Sequence, residues 1–230
     1  IQKSYITGSL NKPLNTYQKQ KNVNQKISLK SEARNQENNY ESTEAGWKNS
    51  TVLIEYPEEI KNLEINKITP IDNSLAVVGY DKFEKDGKQY LKVYLQSEKP
   101  VNQPSFNIDS NITVDPLAKS KNTTAKIYYY NSYPSSYLQY INETKDIFDI
   151  NNNGSTEDNV GYSTMNVTIV SPDTLVISQE ITGYNTKGET TYAPGTGIIE
   201  SNGTGTATVK VQLANYWTPT VSNVKLIGKI

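Results

Sequence analysis

This chain of 230 residues contains no cysteine and no histidine. Without cysteine there is no disulfide framework, no thiol nucleophile and no thiolate metal site. Without histidine there is no Ser-His-Asp triad and no imidazole ligand. Any catalysis would fall to carboxylates, Lys, Tyr or Ser/Thr. Arginine is nearly missing too, since Arg34 is the single one, and lysine carries the positive charge. The net charge of −1 gives no basic field for nucleic acid or an anionic membrane surface. Nor does any apolar run reach membrane-spanning length, so neither a nucleic-acid partner nor membrane insertion is expected. Hydrophobic residues make up 35% of the chain. They gather in short runs, which argues against disorder.

What is present in quantity is strand pattern. Runs over Thr51–Tyr56, Leu75–Tyr80, Tyr90–Leu95, Phe106–Val114 and Ala125–Tyr130 are rich in β-branched and aromatic residues. Further runs cover Met165–Val170, Thr174–Ser178, Ala207–Leu213 and Val221–Ile227. Asp86-Gly87, between the second and third runs, is a strong hairpin signal. Short strands spaced by turn residues predict an all-β fold of Ig-like antiparallel β-sandwich modules. Helix is expected only around Pro57–Leu63, with a turn near Ser135–Ile141. Residues 1–26, polar and aperiodic from 11 onward, read as a loose lead-in. Ser171-Pro172-Asp173 reads as a boundary between a first module, 1–170, and a shorter second module or start of a further repeat, 171–230. The start at Ile1 reads as a mature or excised piece without its signal and anchor.

One loop carries specific chemistry. From Asp149 to Asp158, oxygen-bearing side chains alternate at positions one, three and five (Asp149, Asn151, Asn153), and Gly154 stands at position six. An EF-hand-type loop wraps Ca²⁺ with this spacing, because the oxygens converge and glycine permits the sharp turn. The Ser155 carbonyl would stand at position seven and Glu157 at position nine. Position twelve is Val160 where a bidentate Glu is usual, so Asp158 or Asp146 would have to supply that carboxylate. So few carboxylates imply weak binding, on the order of 10⁻⁴–10⁻³ M, as in extracellular modules. The same residues also suit a metal-free Asn/Gly turn.

A tyrosine cluster is the second feature. Tyr128, Tyr130, Tyr133, Tyr137 and Tyr140 are candidate ligand platforms, with Tyr129 among them. Tyrosine joins an apolar face to a polar tip, which suits stacking on a glycan or a protein. Alternate tyrosines packed in a core and along a strand edge would give the same pattern. Trp47 reads as a core anchor. Lys, Asn and acid residues are abundant enough for an intramolecular isopeptide bond, but spacing does not select a trio.

Three segments together resemble the repetitive, multi-domain surface proteins of Gram-positive bacteria, including biofilm-type and MSCRAMM-like adhesins. They are Ser50–Ile60, which runs from strand into proline, Asp146–Gly154 leading to Val160-Gly161-Tyr162, and the closing Val224–Ile230. The resemblance implies Ig-like sandwich modules at the cell surface or cell wall, frequently with bound Ca²⁺. It also implies adhesion to a host or neighbouring-cell protein or glycan, or a spacer role beside adjacent modules of the same chain. The Lys/Asn-rich, cysteine-free composition fits such an exported protein. It is expected to be non-enzymatic. The rivals are a carbohydrate-binding module of a secreted enzyme and a carboxylate-based glycan hydrolase or lyase.

Overall fold

The computed structural model describes residues 1–16, 19–33, 45–71, 75–133, 138–171, 175–185, 190–192 and 205–215. Two compact units divide the chain, Ile1–Ser171 and Pro172–Ile230. The first contains β1 (Gln2–Leu10), β2 (Leu14–Asn15), β3 (Gln20–Ala33), β4 (Ser50–Glu55), β5 (Ile60–Pro70) and β6 (Ala76–Lys85). It continues with β7 (Lys88–Gln96), β8 (Ser105–Val114), β9 (Lys121–Asn131), β10 (Leu138–Tyr140), β11 (Glu143–Lys145) and β12 (Asn159–Val170). The second unit contains β13 (Leu175–Asn185), β14 (Thr190–Tyr192) and β15 (Gly205–Asn215), paired in the order β14-β13-β15.

The first unit is a β-sandwich. One sheet runs β10-β1-β3-β8-β5 and the other β11-β12-β9-β4-β7-β6, with β2 added beside β12. Pairing is antiparallel except for the short β1–β10 and β12–β2 contacts. Both sheets feed one core, with Ile6, Ile27, Leu29, Ile108 and Ile112 from the first and Val52, Ile54, Leu91, Val93, Ile127 and Met165 from the second. Trp47 is buried in it, as its sequence reading required. At the β6–β7 hairpin, Asp86 and Gly87 have φ of 51° and 74°. Positive φ at both central residues is the type I′ arrangement that matches strand twist.

Three expectations need correction. The supposed lead-in, 1–26, is structural: β1 pairs with β3 from Gln2↔Ala33 to Leu10↔Gln25. Its period is hidden because polar residues occupy inward positions. Gln2, Ser4, Gln25 and Ser31 are buried, which is tolerated only when their hydrogen bonds are made. The Gln2 amide closes on Gly46, donating to its carbonyl and accepting from its N–H, both at 2.8 Å. Gln25 accepts the Tyr56 hydroxyl at 2.7 Å.

The helix expected at Pro57–Leu63 is a turn followed by β5. Ile60 and Leu63 sit three apart, a helix-like spacing, but both are buried because a bulge shifts the register between Ile60 and Asn62. Near Ser135–Ile141, the described part Leu138–Tyr140 is strand β10. The run at Val221–Ile227 lies outside the described residues.

Close packing joins β9 and β12. Gly161 pairs with Tyr129, and a Cβ on that glycine would fall inside contact distance of three Tyr129 ring atoms. Gly161→Ala should therefore lower stability by about 1–3 kcal/mol in urea unfolding. Tyr129→Leu in the same chain should recover part of that loss, and an unchanged midpoint in the single variant would contradict this packing.

A loop over the outer face and the cleft it walls

Strand β4 is buried at every position. Val52 and Ile54 face the sandwich core, whereas Leu53 belongs to a second cluster with Tyr90, Tyr128, Ile150 and Val160. That second cluster exists because residues 146–158, between β11 and β12, fold across the outer face of the sheet. Phe148 and Ile150 are the apolar side chains this excursion contributes. Phe148 packs against Tyr90 and Tyr128 with ring centroids 5.4 and 5.3 Å apart, and Phe83 stacks on Tyr90 at 4.9 Å. Burial pushes the Tyr128 hydroxyl up to about 12.

The loop holds its shape through side-chain-to-backbone bonds, as Asn and Asp do in turns. The Asp149 carboxylate accepts the N–H groups of Asn153 at 3.0 Å and Gly154 at 3.1 Å. Asn151 and Asn153 accept from the N–H groups of Asn153 and Ser155 at 3.2 and 2.9 Å. Asp149, Asn152 and Gly154 take φ of 48°, 56° and 80°, left-handed values that Asn, Asp and Gly tolerate best. At the hub is Asp158, whose Oδ2 accepts both the Asn151 and Asn153 amide groups at 2.5 and 2.6 Å.

The candidate cation ligands separate accordingly. Asp149, Asn151, Asn153 and Asp158 come together. Asp158 Oδ1 is buried without a hydrogen-bond partner. Turning the two amides end for end would present oxygens where NH₂ groups now stand. Asp146 is buried and committed elsewhere, its oxygens accepting the N–H groups of Ile150 at 2.8 Å and Asn151 at 3.2 Å. Glu157 faces solvent with Lys145 at 3.7 Å, and the Ser155 hydroxyl accepts the Glu157 N–H at 3.1 Å. Among the described residues, no three acidic side chains gather as a metal cluster.

The tyrosine cluster splits by strand alternation. Tyr128 and Tyr130 project to the outer face, while Tyr129 enters the core. Tyr140 meets Tyr129 edge-on at 5.3 Å, and its hydroxyl accepts the Asn131 N–H at 3.1 Å. Tyr133 is half-buried, and its carbonyl accepts the Gln2 amide at 3.0 Å. Tyr137 lies outside the described residues. Lys, Asn and acid do meet at Lys19, Glu64 and Asn111, but Lys19 and Glu64 form a surface pair with side chains 43% and 41% exposed.

Beside the loop the outer face opens into a cleft of about 330 Å³. Its floor is one cross-strand row, because Thr51 pairs with Tyr94 on one side and Tyr130 on the other. Ile150, Asn151 and Asn152 wall it. Of the tyrosines named from sequence, Tyr130 lines this cleft. Tyr94, Thr51 and Lys92 were missed because only strand register brings them to Tyr130; their alternation along β7 and β4 was the available signal.

No family model matches the chain, and no curated protein sequence does either. Among solved structures it is similar to the cohesin module from a Clostridium perfringens family 33 glycoside hydrolase. That match has a TM-score of 0.40 and 18% identity, covering 75% of this chain and 98% of that one. It is also similar to the major pilin SpaA of Corynebacterium diphtheriae, with TM-score 0.39, 11% identity, and 93% of this chain against 52% of that one. For BcpA, the major pilin subunit of Bacillus cereus, the values are 0.34, 13%, 93% and 59%. The chain thus spans little more than half the length of these two pilins.

Asp158 makes the loop pH-sensitive. The Asn151 amide bond holds its carboxyl below the ordinary carboxylate range, against the upward push of burial. A lowered folded-state value means stabilisation present above the unfolded value, about 4, and lost as pH falls through the folded one. Amide-exchange protection over Asn151–Ser155 should therefore drop below about pH 4 while that of β4 persists. In Asp158→Asn the drop should shrink to what the Asp149 carboxylate contributes through the Asn153 and Gly154 N–H groups; an unaltered profile would remove Asp158 from the hub.

Proposed function

We propose that this chain is a non-enzymatic module of an extracellular surface protein, an adhesin segment or structural stalk displayed at the cell wall. One observation carries the reading. The cleft on the outer face is lined by hydroxyl, amide and aromatic side chains, the aliphatic Leu95 and Ile150, and Lys92, with no carboxylate among the described lining residues. Most glycoside hydrolases work with two facing carboxyl groups, and a chain free of His and Cys has few other ways to activate a nucleophile. Such a surface favours holding a partner over transforming it. The partner is a host or neighbouring-cell protein or glycan, and adjacent modules of a longer chain flank this one. The sequence resemblance to Gram-positive surface proteins supports the location.

Calcium belongs to this proposal as a stiffener. Asp149, Asn151, Asn153 and Asp158 would hold the ion once the two amides turned their oxygens toward Asp158, with the orphaned Asp158 Oδ1 as its strongest anchor. Bound there, the ion supplies positive charge that neutralises two carboxylates and fixes the wall of the cleft. Within this reading a glycan partner is favoured over a protein by Tyr94 and Tyr130, which flank Thr51 on either side of the cleft floor.

Antibody raised against the chain should label intact cells of the source organism, and labelling only after lysis would oppose the surface assignment. Purified protein should release no product from neutral or acidic oligosaccharides, whereas reproducible cleavage would make it an enzyme. With Kd near 10⁻³ M, about 10 mM Ca²⁺ should stabilise the fold by about 1.4 kcal/mol. Tm should rise by a few degrees over a chelator control. Asp158→Asn should abolish that rise, and equal Tm values in the unsubstituted protein would eliminate the ion.

A further inference from the structure

The geometry points to a saccharide site in the outer-face cleft, and we propose that it takes a sugar carrying a carboxylate, held over Thr51 between Tyr94 and Tyr130 and drawn in by Lys92. The row Tyr94–Thr51–Tyr130 crosses β7, β4 and β9 in register. The two tyrosines therefore stand roughly 10 Å apart, two strand spacings, with a small side chain between them. Both are half-buried, so their rings are fixed by the sheet yet reachable from solvent. Tyr94 is fixed further because its hydroxyl donates to Asp81 at 2.8 Å. Rings held this way bury the C–H faces of a sugar at little entropic cost.

The rim supplies what hydroxyl groups need. Gln96 and Asn152 offer amides, which both donate and accept, while the Asn151 amide is held by Asp158 and the Asn153 N–H. The opposite side is open: Gly79 pairs with Tyr94, and nothing lies within 4 Å of where its Cβ would be. Charge then selects among sugars. Among the described residues, Lys92 is the one charged side chain lining the cleft; its ammonium stands over the Tyr94 ring, 5.4 Å from the centroid, and Asp81, outside the lining, is its cross-strand neighbour. A cation held over one ring of the floor, with no carboxylate in the lining, favours an acidic sugar over its neutral counterpart.

Asp158 is a positioning residue for this site. It touches none of the floor, but through Asn151 and Asn153 it sets the wall at Ile150–Asn152. The loop therefore orders a binding surface in addition to covering the satellite cluster.

The test uses the intact chain and a panel of oligosaccharides that end in a hexuronate or a sialic acid, each beside its carboxyl-reduced form. Binding is read by NMR titration and calorimetry. Acidic members should perturb the amides of Thr51, Tyr94 and Tyr130 and bind more tightly than their reduced forms. Lys92→Gln should erase that preference, costing about tenfold on acidic sugars and little on neutral ones. Tyr130→Ala should weaken both classes, and Asp158→Asn should weaken both while leaving the floor's own shifts in place. Thr51→Trp, which fills the cleft, should abolish binding; if it fails to fold, the shift map on the unsubstituted chain decides. No binding by any member at millimolar concentration, equal affinity for acidic and reduced sugars, or perturbations away from this row would each overturn the proposal. Those outcomes leave the surface-module reading standing, since cell labelling and absence of turnover test it separately.

Discussion

Burial of β4 on both faces is the constraint on which the rest of the first unit depends. A strand at the centre of an exposed sheet normally alternates apolar and polar, one face dry and one wet. Here Thr51, Leu53 and Glu55 point away from the sandwich core and are nevertheless covered. A carboxylate in that position needs partners, because an isolated buried charge is far costlier than a paired one. Glu55 has them in the Tyr90 hydroxyl at 2.7 Å, Lys126 at 3.6 Å and Lys88 at 3.9 Å. The two lysines reach in from strands beside β4, with side chains 46% and 37% exposed, so their charges stay solvated while their target does not.

What covers Leu53 in the middle of β4 is the 146–158 excursion, and its order has two sources. Phe148 and Ile150 supply apolar burial against Leu53, Tyr90 and Tyr128. The Asp149, Asn151 and Asn153 turns supply backbone satisfaction, leaving few local amides to compete for water. Neither suffices alone. Apolar anchors without turn bonds would leave buried backbone groups unpaired, and turn bonds without anchors would form an ordered loop free to swing away from the sheet. Asp158 links the two by tying the turn amides to the start of β12, where its carbonyl accepts the Asp146 N–H at 2.9 Å.

Legibility from sequence follows the same physics. Strands whose inward positions are aliphatic, such as β7 with Leu91, Val93 and Leu95, stand out as alternation, and so does the Asp86-Gly87 hairpin. Strand β1 does not, because Gln2, Ser4 and Gly8 hold its inward places; only the distant partners Gly46 and Met165 make those choices intelligible. The bulge in β5 turns a two-residue period into a three-residue one and imitates a helix. Within the loop, spacing revealed Asp149, Asn151, Asn153 and Asp158, since all four act within one turn system. Spacing could not separate Asp146 and Glu157 from them, for their partners are an amide pair and a solvated lysine. The cleft was least legible. Thr51, Lys92, Tyr94 and Tyr130 come from three strands, and their adjacency is a fact of register, which no local pattern encodes.

Stability and the proposed recognition thus draw on opposite faces of one sheet. Val52, Ile54, Leu91, Val93, Ile127 and Tyr129 commit the inner face to the sandwich, leaving little freedom there for change. The outer face alternates with it residue by residue, so each strand that fixes a core side chain also fixes its outward neighbour. Tyr130 is held in place because Tyr129 is, and Tyr94 because Val93 and Leu95 are. A binding floor built this way inherits rigidity from the core without exposing any of it. The loop then decides what the floor can meet, since residues 150–152 form the boundary between the covered part of the face and the open part. Changes in loop composition would move that boundary while the sandwich beneath stays as it is. The walls of the proposed site can therefore vary without any change of fold.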